Sequence, residues 1–448
     1  MFDYNSVHSD SLMEYVGKTL LLILVMFLLF ILLGSDTDTM NSFLAESVVF
    51  FILTWLAAKL YLGNERFIWI FVLAYLFKLT IGVIHYLYFI DPNYFASTGT
   101  NQMLHQEFQA VMEFLEMAVS EKKQYGLFHL KLDGYVTHQD FLSIIAIPFR
   151  FFGVKILNIA PLNSFFSILT AINIYIACRK KDWNYKTRKC ILFLLAFFPA
   201  TIISSYFYRD IVGWAFMSIG LVLICKAKTL VSKLVVMPLA MLLFYLQRNG
   251  YIVLPIAILL AQFSLLYKSK KTGTFAIVGV LVLLILPSVF KFASNDSTDS
   301  YIEDSSSWSI YVLPIKIILG LIGPFPWSNL MMYKIYPAFS YYLSDYIMGC
   351  LNIGLLICLF SSWDKFRWKS GLTESSILGI LLVLFGLMTG VMHMTYISIG
   401  VIFLIPWFVE NAGVSELRRN VSKATIFLVL LNIVVISCGL GGIGVTFR

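Results

Sequence analysis

Two arginines and an aspartate set the chemistry open to this sequence. Arg209-Asp210 closes one apolar run and Arg248-Asn249 closes another. Two guanidinium groups at a bilayer surface suit a lipid-linked phosphate or diphosphate, gripped by charge-assisted forked hydrogen bonds. Asp91 ends a third apolar run, and Pro92 restricts its backbone. A carboxylate held there can take a proton from an acceptor hydroxyl. Tyr94, Lys316, the Pro324-Phe325-Pro326-Trp327 turn and His393 also fall between apolar runs, on the same predicted side.

Each of these residues has a plainer reading. Asp91 before proline is an ordinary helix stop. Arg209-Asp210 serves equally as an interfacial anchor with a local ion pair. Arg248 can be satisfied by a lipid headgroup phosphate. The scattered pairs His105/Glu107 and His138/Asp140 keep a divalent metal open as an alternative, but form no recognised ligand pattern. Metal is therefore not assigned, and no cofactor is required. Lys78, in the middle of an apolar run, is either functional or paired with a neighbouring helix.

The element that must position Asp91 is the stretch 91–140, an outer-face loop between apolar runs. Within 101–124, Leu104, Phe108, Val111, Met112 and Leu115 recur at helical spacing, with Glu107, Glu113 and Glu116 on other faces. This predicts an amphipathic helix lying on the bilayer. An acidic outer loop is predicted over 293–308.

The chain is 59% hydrophobic and 13% charged, with a net charge of +8. Soluble domains carry roughly 25% charged residues. Apolar runs near twenty residues recur, so the expected fold is an all-α polytopic integral membrane protein, a single membrane domain over 1–448. The positive charge sits in short loops where it sets topology, and nucleic acid is not an expected partner. Six cysteines lie in or beside apolar runs without a CxxC pair, which points away from a disulfide framework or a zinc site. The first apolar run, from Lys18, has no small-residue cleavage site after it and reads as a retained span.

Between residues 179 and 189 lie Arg179, Lys180, Lys181, Lys186, Arg188 and Lys189. That loop is cytoplasmic by the positive-inside rule and fixes the parity of the rest. It puts Asp91 outside only if 141–157, with Pro148 and Arg150, does not cross. It likewise requires that 310–327, with Lys316, does not fully cross. Both read as juxtamembrane or re-entrant helices. The count is about 13 transmembrane helices, N-terminus inside and C-terminus outside. Ser35 to Glu46 reads as an outer loop, Ile191 to Tyr208 as one span, and Ala424 to Val445 as the last span.

The order of parts resembles the GT-C superfamily of membrane glycosyltransferases. The matching parts are Asp91-Pro92-Asn93-Tyr94, the helical loop 101–124, Phe151-Phe152-Gly153, the run 163–181, and Phe198-Pro199 leading to Arg209-Asp210. Arg248 and the turn at Phe325 resemble features of bacterial surface-polysaccharide polymerases of the O-antigen type. The likeness covers about residues 91–250. It departs from the family in having two extra spans before Asp91 and no second acid beside it. It implies catalytic roles for Asp91 and Asp210, and substrate binding by Arg209, Arg248, Tyr94, Asn249, Lys316, Trp327 and His393. The implied partners are an undecaprenyl-linked glycan donor, a glycan or lipid-linked acceptor, and the lipid bilayer of a bacterial inner membrane, with the active face periplasmic. The alternative class is a flippase for a lipid-linked glycan, which would place charges near the bilayer midplane.

Overall fold

The computed structural model describes residues 11–36, 38–63, 67–89, 114–120, 139–180, 182–203, 210–247, 249–266, 339–366, 373–388 and 394–438. Regular structure among them is entirely helical. In chain order the helices are α1 (Leu12–Leu33), α2 (Thr39–Leu62), α3 (Ile68–Phe89), α4 (Gln139–Phe152), α5 (Ile159–Cys178), α6 (Tyr185–Ala196) and α7 (Pro199–Ile203). Then come α8 (Asp210–Lys226), α9 (Leu230–Gln247), α10 (Leu254–Leu266), α11 (Phe339–Ser361), α12 (Glu374–Met388), α13 (Met394–Ala412) and α14 (Val414–Ser437). A short helical run at 114–120 lies inside the predicted amphipathic segment, with Phe114, Leu115 and Ala118 buried and Glu116 exposed. The rest of 101–124 and all of 293–308 lie outside the described residues.

Among the described residues, four segments are long and apolar enough to cross a membrane: α1, α2, Ile156–Cys178 and α9. A fifth is counted if α13 and α14, bent by 117°, form one broken span. The helices group into two compact units, Met1–Asp182 with Thr201–Asn249, and Trp183–Ala200 with Gly250–Arg448.

In the first unit, α5 is buried on nearly every side and packs against α2, α3 and α8. By contrast, α1 buries only Tyr15, Leu22 and Phe30. Leu20, Leu24, Leu28 and Ile31 stand exposed on the same helix. An apolar face this continuous is unfavourable in water and suits lipid. Packing divides the unit into two ends. At one, Ser42 Oγ lies 2.6 Å from the Ser35 carbonyl and 2.5 Å from the Phe152 carbonyl, so one hydroxyl serves two acceptors. Asn158 donates to the same Phe152 carbonyl at 3.2 Å, and Lys155 pairs with Asp36 at 3.6 Å. At the other end, the Tyr15 hydroxyl donates to Asn173 Oδ1 at 3.0 Å, and Tyr15 stacks near Tyr61.

The start of α2, the end of α4 and the start of α5 meet at the Ser42 end. α4 has 14 residues, about 21 Å at helical rise. That is shorter than a hydrocarbon core of about 30 Å, as are α10 and α12 with 13 and 15 residues. The helix stops at Gly153, whose φ of +73° is left-handed. A side chain at Gly153 would also meet the Asp36 carboxylate.

One expected loop is corrected here. Ser35 to Glu46 is not a loop throughout, because α2 starts at Thr39. Asp38 caps it, Oδ1 accepting from the Asn41 N–H at 2.8 Å, which satisfies an otherwise orphaned donor.

In the second unit, α12 and α13 cross at a pair of glycines. A Cβ on Gly400 would sit 2.7 Å from the Gly379 carbonyl oxygen, and one on Gly379 would sit 2.8 Å from that of Gly400. α11 packs on α14, where a Cβ on Gly354 would lie 2.7 Å from Val421 Cα. At one end of that pair Glu416 accepts from Ser362 and pairs with Lys365 at 2.8 Å. The Glu416 hydrogen bond holds the Lys365 ammonium above its ordinary lysine value. Phe366 packs edge-on to Trp407 at 4.8 Å.

Three predicted boundaries move in this unit. Asn184 caps α6 inside the basic stretch, accepting from the Thr187 N–H at 2.9 Å, so Lys186, Arg188 and Lys189 are helical. The expected span 191–208 is interrupted, because α6 ends at Ala196 and Pro199 opens a new helix. The helix of the predicted last span begins ahead of Ala424: α14 starts directly after Gly413 and includes Arg418, Arg419 and Lys423.

Candidate functional site

The predicted clamp depends on whether residues 209–210 and 248–249 leave the same end of neighbouring helices. α8 and α9 form an antiparallel hairpin whose contact rests on small residues. A Cβ on Gly213 would lie 3.1 Å from Gln247 Cα and would collide with the Gln247 side-chain amide. One on Gly220, two turns further along α8, would lie 3.0 Å from the Phe244 ring. Glycine here lets the two backbones approach closely. Asp210 is the first residue of α8, and Asn249 opens a 3-10 turn just after α9. The backbone therefore brings the flanks of Arg209-Asp210 and Arg248-Asn249 together. Arg209, Arg248, Asp91, Tyr94, Lys316, Trp327 and His393 lie outside the described residues, as do the side chains of Asp210 and Asn249.

A second polar constellation lies inside the first unit, and the sequence pointed to it only through Lys78. Lys78 sits midway along α3, fully buried, and its side-chain nitrogen donates to Ser167 Oγ on α5 at 2.7 Å. Ser167 passes a hydrogen bond on to the Ser164 carbonyl at 2.8 Å. On α2, Glu46 is also fully buried, and both carboxylate oxygens lack a hydrogen-bond partner. Tyr75, one turn before Lys78, donates to the carbonyl of Ser47, next to Glu46, at 2.9 Å. Toward the Tyr15 end, Asn173 donates to Ser218 Oγ on α8 at 3.1 Å.

This seam follows a legible pattern on α5. Ser164, Ser167, Thr170 and Asn173 recur every third residue, and all are buried. Residues three apart lie on one helical face, so the stripe could have been read from sequence. Glu46 could have been read by recognising Asp38 as a helix cap.

Among the described residues, no group of three or more His, Cys, Asp or Glu side chains could hold a metal ion. His105, Glu107 and His138 lie outside them, as does the side chain of Asp140. No family model matches the chain, and neither a curated protein nor a solved structure matches it.

Chemically, the two constellations differ in kind. The α8–α9 end can gather two basic residues beside a carboxylate at a boundary. The α2–α3–α5 seam holds an amine and a carboxylate away from water, where each is costly unless neutralised.

Proposed function

We propose that this protein is a membrane glycosyltransferase or polymerase of bacterial surface polysaccharide, of the O-antigen or capsule type. It would act on undecaprenyl-linked sugars at the outer face of the inner membrane, in a chain crossing about thirteen times. Arg209 and Arg248 grip the donor phosphates and stabilise the departing lipid phosphate as charge develops. Asp91 deprotonates the acceptor hydroxyl, and Asp210 is the second acid of the site. Tyr94, Asn249, Lys316, Trp327 and His393 line the donor and acceptor sites. The observation that carries this reading is the Gly213–Gln247 contact, which supports bringing the flanks of the two arginines to one end of a hairpin.

The test is a gel profile of surface polysaccharide from a deletion strain. Complementation is with wild type, Asp91→Asn, Arg209→Ala or Arg248→Ala. Loss of one phosphate-binding arginine should cost about 2–4 kcal/mol of transition-state stabilisation. A ladder collapsed to single repeats in the deletion and the variants is the expected result. An intact ladder with every rung shifted means a branch-adding transferase. Full synthesis by both arginine variants at normal expression overturns the phosphate clamp.

One observation favours the flippase reading. Lys78 is buried midway along its helix, where transporters place coupling groups. Lipid-linked repeats trapped inside the deletion strain, with Asp91→Asn behaving as wild type, would select that alternative.

A further inference from the structure

The mechanism above makes no use of Glu46 and Lys78, an acid and a base that the first unit buries completely. Glu46 and Lys78 are fully buried on helices α2 and α3, which pack together. Tyr75 ties the two segments to each other: its hydroxyl donates to the Ser47 carbonyl, next to Glu46, and Lys78 lies one turn further along α3. Tyr75 is within electrostatic reach of Glu46. Lys78 does not pair with the carboxylate but donates to Ser167.

A fully buried carboxylate with two unpartnered oxygens needs a counter-charge or a proton. The surroundings decide which. A metal cation such as Na⁺ wants several oxygen ligands and no competing positive charge. Here the Ser47 carbonyl is occupied by Tyr75, and the same bundle buries an amine, Lys78, that can itself carry charge. The Ser47 and Ser164 hydroxyl oxygens are buried and likewise without partners. Oxygens of that kind can relay a proton. Other charges stand apart from Glu46. From α1, Glu14 and Lys18 pair with each other at the Tyr15 end, and α5 presents Tyr175 near that end. At the Ser42 end, Asp36 pairs with Lys155, and Asp38 and Arg150 are exposed.

We propose that Glu46 and Lys78 form an intramembrane proton-binding site. Glu46 holds the proton as a neutral carboxylic acid, and Lys78 with Ser167 is the second station that can accept or return it. Transfer breaks the Glu46 O–H bond and forms an N–H bond on the Lys78 amine, leaving carboxylate and ammonium with no change in net charge. Exchange with bulk water then adds or removes one proton from the couple. This inference does not depend on the glycosyl-transfer reading, since it involves none of that site's residues.

The test is infrared difference spectroscopy on the full chain in lipid nanodiscs, titrated with acid and base in choline chloride. The expected result is a protonated-carboxyl C=O band that shifts in D₂O, is lost on alkalinisation and is absent from Glu46→Gln. Glu46→Asp keeps a carboxyl and should move the band, which guards against a misfolded glutamine variant. Lys78→Met should displace the pH at which the band is lost. A band unchanged in both Glu46 variants overturns the proposal, as does a Lys78→Met titration identical to wild type. Loss of the band when NaCl replaces choline chloride at constant pH also overturns it, in favour of a metal cation.

Discussion

The two units solve the same problem with different interactions. In the first, helices are joined by polar side chains inside the bundle, from Ser42 and Asn158 at one end to Asn173, Ser218 and Tyr15 at the other. In the second, the described helices are brought close by glycines at Gly354, Gly379 and Gly400, and the Glu416 polar cluster sits at the end of a helix pair. Lipid tails are as apolar as leucine, so burial alone does not drive helices together in a membrane. Hydrogen bonds and close backbone contact are what remain, and the units combine them differently. The first also has glycine contacts at Gly213 and Gly220, and the second also has a buried bond from Ser375 to the Phe403 carbonyl at 2.9 Å. Only the first is described with a fully buried acid and amine, groups that can exchange protons.

The comparison breaks most readily at the glycines. Gly400→Leu forces a side chain against the Gly379 carbonyl oxygen and the Val383 backbone. The cost should reach the upper part of the range of about 1–3 kcal/mol for overpacking. Hydrogen exchange read by mass spectrometry should show α12 and α13 losing protection while α2 and α5 keep theirs. Equal loss in both units would mean that they are not held independently.

Asn173→Leu sharpens the other side of the comparison. It removes hydrogen bonds to Tyr15 and Ser218 together and takes the acceptor from the buried Tyr15 hydroxyl, while Ser218 keeps its bond to the Ala215 carbonyl, at about 1–3 kcal/mol. Tyr15→Phe removes one of them and should cost about 0.6–1.7 kcal/mol. Thermal melts of the two variants in one detergent should rank in that order. If Asn173→Leu is neutral, the first unit is not held by its polar seam.

The smallest effects lie at exposed ends. Glu416→Gln removes a pair in which Lys365 is largely exposed, so the loss should be slight and should fade with added salt. Lys365 is held above its ordinary value by Glu416. Its contribution is therefore complete below the ordinary lysine pKa and disappears as pH rises through the folded one. Asp38 has the opposite sign. The Asn41 N–H holds its carboxyl below the ordinary carboxylate value, so the cap acts above that value and fails as pH falls through the folded one. Exchange of the first α2 amides should quicken in acid, and Asp38→Ala should abolish that pH dependence.

How much of this was legible in the sequence depends on the kind of signal. The helical class follows from hydrophobicity alone. That 141–157 does not cross was read from the parity set by the basic loop at Arg179, and what is described of the segment is a 14-residue helix carrying Pro148 and Arg150. Glu46 was misplaced because counting charges treats an acid near polar residues as loop, although Asp38 is a stronger local signal for a helix start. The Gly213–Gln247 and Gly379–Gly400 contacts were invisible, because a glycine in an apolar run does not announce its partner. The seven clamp and cavity residues outside the described part of the chain remain readings of the sequence.

The joint at Gly413 carries a consequence for how the chain is made. α13 ends at Ala412 and α14 begins at Val414, so one residue, at φ +79°, turns the helix axis by 117°. A connector that short spans about 4 Å and has no slack. The direction of α14 is therefore set by that of α13, and a foreign segment inserted at this joint would uncouple the two.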